Sequence, residues 1–238
     1  MRNRSVTHKL LSYRLQWYYE LILEKIKRSK SIVIFFAILM LAPFGLFDAF
    51  LVQPIINIGY PKFPTFSIVF FMLILQAVFL FWVKIQEEAV SAPAVKKYFN
   101  ALPISSFKHY LVNMTVLLVA NNILWIPFLV ALFKAPYSVM TDFIDQLLFV
   151  LNISALITSI FAMQLQWLYR HYYAFIFLLM VDLLLYVSYI IQNELYSFIL
   201  SLSALILAAL FVFPWRFQFA ISKILSAKKR RKACQKSN

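Results

Sequence analysis

The chain has 238 residues, of which 63% are hydrophobic and only 13% charged, and it carries a net charge of +14. A soluble domain of this size has too little interior to hide that much apolar surface, so an ordinary globular class is excluded. Two glycines, Gly45 and Gly59, leave no phosphate-cradling loop, and a single cysteine, Cys234, can form no internal disulfide.

In chain order, residues 1–30 come first, basic and too long for the leading region of a cleaved signal. At helical spacing Leu11, Leu15, Tyr18, Ile22 and Ile26 share one face, and Ser12, Gln16, Glu20, Glu24 and Lys27 the opposite one. With Trp17 and the flanking cations, this predicts an amphipathic helix lying in a membrane interface. Six apolar runs follow, at 32–51, 67–83, 111–133, 146–168, 174–191 and 197–213, each near the length that a hydrocarbon core about 30 Å thick requires. The expected architecture is therefore all-α: a polytopic membrane protein with six transmembrane helices over 31–213, an interfacial helix before them, and a basic tail over 214–238.

Charge sets the orientation. With the N-terminus in the cytoplasm, 21 of the 23 Lys and Arg residues fall on the cytoplasmic side, and only Lys62 and Lys134 outside. Trp82, Trp167 and Trp215 close the second, fourth and sixth runs on the inner side, while Tyr60, Tyr137 and Tyr196 stand in the outer loops. Such rings favour the headgroup layer. Both termini are thus expected in the cytoplasm. The cluster Lys228-Lys229-Arg230-Arg231-Lys232 reads as orientation and attraction to anionic lipid, with no nucleic-acid partner.

The longest internal loop is expected over 84–110. It holds Glu87 and Glu88, then a short helical stretch with Tyr98 and Phe99, then Leu102-Pro103-Ile104-Ser105. Pro103 ends a helix at Leu102, and Ser105 or Ser106 can cap the next one. In this loop the chain resembles the membrane subunits of type-2 ABC exporters. In that family an interfacial helix leads into six spans, and an acidic residue followed by a Leu-Pro-Ile/Val-Ser stretch marks the loop after the second span. The resemblance implies that Glu87, Glu88, Tyr98, Phe99, Leu102, Pro103, Ile104 and Ser105 dock on a separate cytosolic ATPase subunit. It also implies a second permease chain, identical or similar, and residence in a bacterial inner membrane. The chain itself would need no cofactor or metal and would not be an enzyme. Two features depart from the family: the Gly-Thr that often follows its acidic residue is absent, and the turn at 192–196 is short where the family carries re-entrant helices.

Polar residues within the runs are few. Gln76, Asn121, Asn122, Ser159, Asp182 and Ser203 lie at a similar depth, about 12–17 Å from the cytoplasmic ends at a rise of 1.5 Å per residue. They form an expected polar layer that either lines a path or fixes helix packing, with Asn121 or Asn122 as the partner of Asp182. Ser154, Thr158 and Ala162, beside Ala155 and Ser159, offer a small-residue stripe for close helix approach.

Two other functions compete. One is a non-transporting accessory or assembly protein whose 84–110 loop binds another cytosolic partner. The other is an intramembrane aspartyl protease, because Gly45-Leu46-Phe47-Asp48 echoes a Gly-x-Gly-Asp motif and Asp182 supplies a second carboxyl. The second glycine is missing and the two acids differ in depth by about 10 Å, too far to share a proton.

Overall fold

The computed structural model describes residues 2–28, 48–60, 66–92, 106–138, 140, 142–172, 174–191 and 193–212. All regular structure among them is helical. Helix α1 covers Arg2–Arg28, and a single π-helical segment, Asp48–Val52, leads into α2, Gln53–Gly59. Then come α3 (Phe66–Ser91), α4 (Ser106–Ala120), α5 (Asn122–Ser138), α6 (Phe143–Leu168), α7 (Ala174–Ile190) and α8 (Glu194–Val212).

Among the described residues three helices, α3, α6 and α8, are long and apolar enough to cross a membrane; α4 and α5 together make a fourth candidate, bent by 71°. Helix α7 is apolar but only 17 residues long, about 25 Å of rise. This is the build of a membrane-embedded protein. Large apolar side chains face outward along these helices, among them Phe70, Phe81, Phe133, Ile176 and Leu183. In water such a surface would be a liability; against lipid tails it is solvated. The expected first run, 32–51, lies almost wholly outside the described residues, as does the tail over 214–238.

Helix α6 is the hub. It packs along α8, α7, α3, α2 and α5, and its buried residues include Ala155, Ser159 and Ala162. The facing stripe on α8 is Ser197, Ser201, Ala204, Ala208 and Val212, all buried. Small residues on both sides let the backbones come close enough for dispersion contacts to replace the missing hydrophobic drive between helices in lipid. Of the expected small-residue stripe, Ala155, Ser159 and Ala162 are buried, whereas Ser154 and Thr158 are half-buried and Thr158 donates to Ser154 O within the helix.

Gly59 lets α2 reach α6. A Cβ there would stand 2.5 Å from the Phe149 ring and 2.8 Å from Ile153 Cγ1, and both neighbours are buried. The close approach also lets Asn152 Nδ2 donate to Gly59 O at 3.0 Å.

Two expectations about helix limits need correction. The run 111–133 is not one straight helix. It breaks at Asn121, which is a turn residue between α4 and α5. The second run continues two turns past position 83, so that Glu87 and Glu88 belong to the last turns of α3 and not to a loop.

Candidate functional site

At one end of the bundle, α1 is bolted across α3 and α4 by polar side chains. Leu10, Arg14 and Tyr18, spaced by four, form its buried stripe. Arg14 is only 3% exposed. Its guanidinium donates to Val90 O, near the end of α3, and to Asn113 Oδ1 on α4 at 3.2 Å. Tyr18 donates to Gln86 Oε1 on α3 at 2.6 Å. Lys25 donates to Ile85 O and stands 3.5 Å from the Glu88 carboxylate. Burial lowers the Arg14 pKa, partly offset by Tyr169, and pushes the Tyr18 phenol up to about 12.

The clamp extends beyond α1. Asn113 Nδ2 donates to the Tyr169 hydroxyl at 3.1 Å, just past the end of α6, and the Tyr110 ring stacks on Tyr169. Tyr110 donates to Val212 O at the end of α8. The ends of α6 and α8 are therefore tied to α4, which α1 in turn joins to the end of α3. Ala92, the residue after α3, has φ of 43°, a left-handed conformation that costs an alanine about 1–2 kcal/mol, and its N–H closes the helix on Glu88 O.

This clamp brackets the expected coupling segment. Glu88 is exposed and ion-paired with Lys25, and Glu87 is half-buried beside it. Tyr98, Phe99, Leu102, Pro103, Ile104 and Ser105 lie outside the described residues. The connection between α3 and α4 spans at most 92–105.

The interior polar residues do not form one layer. Asp182 on α7 is engaged by Gln76 on α3, whose Nε2 donates to both carboxyl oxygens at 2.8 and 2.9 Å; each residue is 2% exposed. The partner of Asp182 is thus Gln76, not Asn121 or Asn122. Asn121 pairs instead with Gln164 on α6, through bonds of 2.6 and 3.2 Å, and Gln164 also donates to Phe79 O. Asn122 is exposed and its Oδ1 accepts from Ile123 N; Ser203 is exposed and bonds Ile199 O in its own helix. Both leave the expected layer because they sit on the outer sides of their helices. Ser159 is fully buried, and its Oγ, like Gln76 Oε1 and the Tyr189 hydroxyl, has no hydrogen-bond partner among the described residues.

The Asn121–Gln164 pair explains how the chain tolerates a broken helix in an apolar setting. Backbone freed by a break must find new partners inside the protein. Trp82 Nε1 donates to Ala120 O at 2.8 Å, Asn121 N bonds back to Leu117 O and Leu118 O, and its own carbonyl accepts from Trp125 N. The side-chain amide is then held by α6.

A second polar knot joins α6, α7 and α8 toward the α2 end. Ser201 donates to Asn152 Oδ1 at 2.6 Å, and Ser197 donates to Ser188 O at 2.7 Å. Sequence reasoning missed Asn152, Gln164, Gln166, Ser201 and Arg14. A usable signal exists for part of this set: Asn152 and Gln166 stand seven residues on either side of the expected Ser159, the period of a packed helix seam.

Asp48 and Asp182 are not joined as a carboxyl dyad. Lys134 Nζ bonds both oxygens of Asp48 at 2.6 Å, near the junction of the π-helical segment with α5, while Asp182 is held by Gln76. Tyr60 donates to Asp145 Oδ2 at 2.7 Å, and that hydrogen bond, with lesser burial, pushes its phenol up to about 12.

No family model matches the chain, and neither a curated protein nor a solved structure matches it.

Proposed function

We propose that this chain is the transmembrane subunit of an ATP-driven, ABC-type exporter in a bacterial inner membrane. It crosses six times with both ends in the cytoplasm, pairs with a second permease chain, and takes its energy from ATPase subunits in trans. The topology rests on the six apolar runs and on the 21-to-2 distribution of basic residues across the two sides.

The observation that carries the reading is the clamp around the coupling segment. Both ends of 92–105 are gripped by α1: the α3 end through Arg14, Tyr18 and Lys25, and the α4 side through Arg14 and Asn113. A force applied to that segment by a partner would be delivered to helices that α1 holds together. It passes to α1, α3 and α4 together, then through Asn113 and Tyr110 to the ends of α6 and α8. That is what a subunit moved by an external ATPase requires. A mere connector would not need it.

The test is a Tyr98→Ala/Leu102→Ala double variant. Apolar anchors in a partner groove cost about 2 kcal/mol each on truncation. The variant should reach normal abundance yet lose the ATPase on purification, together with ATP-dependent activity. Equal ATPase recovery from wild type and variant would remove the segment from the interface.

One observation favours the accessory reading instead. Helix α7 ends at Ile190 and α8 begins at Glu194, so no room exists between them for the re-entrant helices of the exporter family. The same purification separates the two, since an accessory protein would hold no ATPase.

A further inference from the structure

Between the first half of α1 and the start of α4 lies a groove of about 390 Å³, lined among others by His8, Leu11, Lys108, Leu111, Val112 and Thr115. Sites for small molecules commonly measure about 300–1,000 Å³. Lys108, Leu111, Val112 and Thr115 follow one face of α4 at spacings of three and four, and Leu118 continues that face as an exposed apolar residue. The floor is apolar and the rim carries a lysine and a histidine. Among the described residues no acidic side chain lines the groove.

The side on which it opens identifies the occupant. At about 100° per residue, His8, Tyr19 and Ile26 fall within about 20° of one another on α1. Tyr19 and Ile26 are exposed on that side, next to the polar face of Ser12, Gln16, Glu20, Glu24 and Lys27. Helix α1 therefore has three faces: one buried on α3 and α4, one polar, and one apolar flank turned outward. A helix so divided sits at the boundary between headgroups and tails. The groove opens beside that flank, so its cationic rim and apolar floor meet the lipid layer in the order headgroup, then chain.

We propose that this groove binds one phospholipid with an anionic headgroup, of the phosphatidylglycerol class, Lys108 and His8 holding the phosphate and an acyl chain running along Leu11, Leu111 and Leu118. The bound lipid fastens α1 to α4 from the side opposite the Arg14 clamp. The proposal requires the chain to lie in a bilayer and does not depend on the exporter reading.

The test uses the full chain in mixed micelles containing phosphatidylglycerol and phosphatidylcholine with the same acyl chains, with retained lipid counted by native mass spectrometry. Wild type should keep phosphatidylglycerol and release phosphatidylcholine. Because a basic residue near such a surface contributes about a fivefold change in binding, Lys108→Ala should lose about fivefold, Lys108→Glu more, and Lys108→Arg little. Leu111→Glu should lose retention with the rim intact. Equal retention of the two lipids, or undiminished phosphatidylglycerol in Lys108→Glu, would overturn the proposal. Displacement of the lipid by millimolar inorganic phosphate would assign the groove to a free anion and would overturn it too. ATPase content measured in the same samples reports separately on the exporter reading.

Discussion

Replacing Gly59 by alanine tests whether α2 is seated against α6 as closely as described. The added methyl would lie 2.5 Å from two atoms of the Phe149 ring and 2.8 Å from Ile153, where carbon atoms prefer about 3.5–4.0 Å. Phe149 and Ile153 are fully buried and cannot swing out. The helices must part by about an ångström, and overpacking of this kind costs about 1–3 kcal/mol. Parting them also stretches the 3.0 Å bond from Asn152 to Gly59 O and leaves a buried amide short of a partner, about 1–3 kcal/mol more if it is lost. The better helix propensity of alanine offsets about 1 kcal/mol, less at a helix end such as this. The net expectation is a loss of about 2–3 kcal/mol. Reversible unfolding in micelles would measure it, and the diagnostic variant is Gly59→Ala with Phe149→Leu. Trimming the ring should restore part of the loss, so the two changes should couple by about 1 kcal/mol. A Gly59→Ala protein as stable as wild type, with no coupling to position 149, would refute the close seating.

Other expectations follow from the clamp and the buried pairs. Asp182→Leu strands the Gln76 amide and should cost about 1–3 kcal/mol in the same unfolding assay, whereas Asp182→Asn keeps an amide partner and should cost less; equal behaviour of the two would deny the pair a packing role. Arg14→Met leaves Asn113 and Val90 O without their donor, so α1 should detach and trypsin should cut sooner at Lys25 and Lys27; unchanged cleavage would place the grip of α1 elsewhere. The Tyr60 phenol titrates at about 12 in the folded chain against 10.0 for the free group. Its contribution is therefore fully present below pH 10 and lost as pH rises toward 12, so the stability gap between wild type and Tyr60→Phe should close over that window and not below it.

Much of the fold was legible because membrane helices are constrained by length and polarity. The runs at 67–83, 146–168, 174–191 and 197–213 each coincide with most of a helix, and the polar face of α1 is exposed residue for residue. Azimuth was not. Spacing along a run does not say which way a side chain turns, so the expected partner of Asp182 is Asn121 or Asn122 when Gln76 faces it and Asn121 faces Gln164. The break at Asn121 was hidden for a related reason. Two adjacent asparagines in an apolar run look like packing groups, and only the Trp82 and Gln164 contacts, which come from other helices, reveal that backbone had to be satisfied there. Arg14 escapes sequence reasoning because a lone cation among leucines and tyrosines does not announce that it is buried. Its partners lie 76 and 99 residues away.

The central proposal is that this chain moves in response to a separate ATPase subunit. Isolating the full chain from its native membrane in a mild detergent, and measuring both bound ATPase and ATP turnover, addresses it most directly. The expected result is an ATPase subunit in stoichiometric amount and turnover that disappears when the subunit is stripped away. A pure, folded chain that carries no ATPase under conditions preserving other membrane complexes would contradict it.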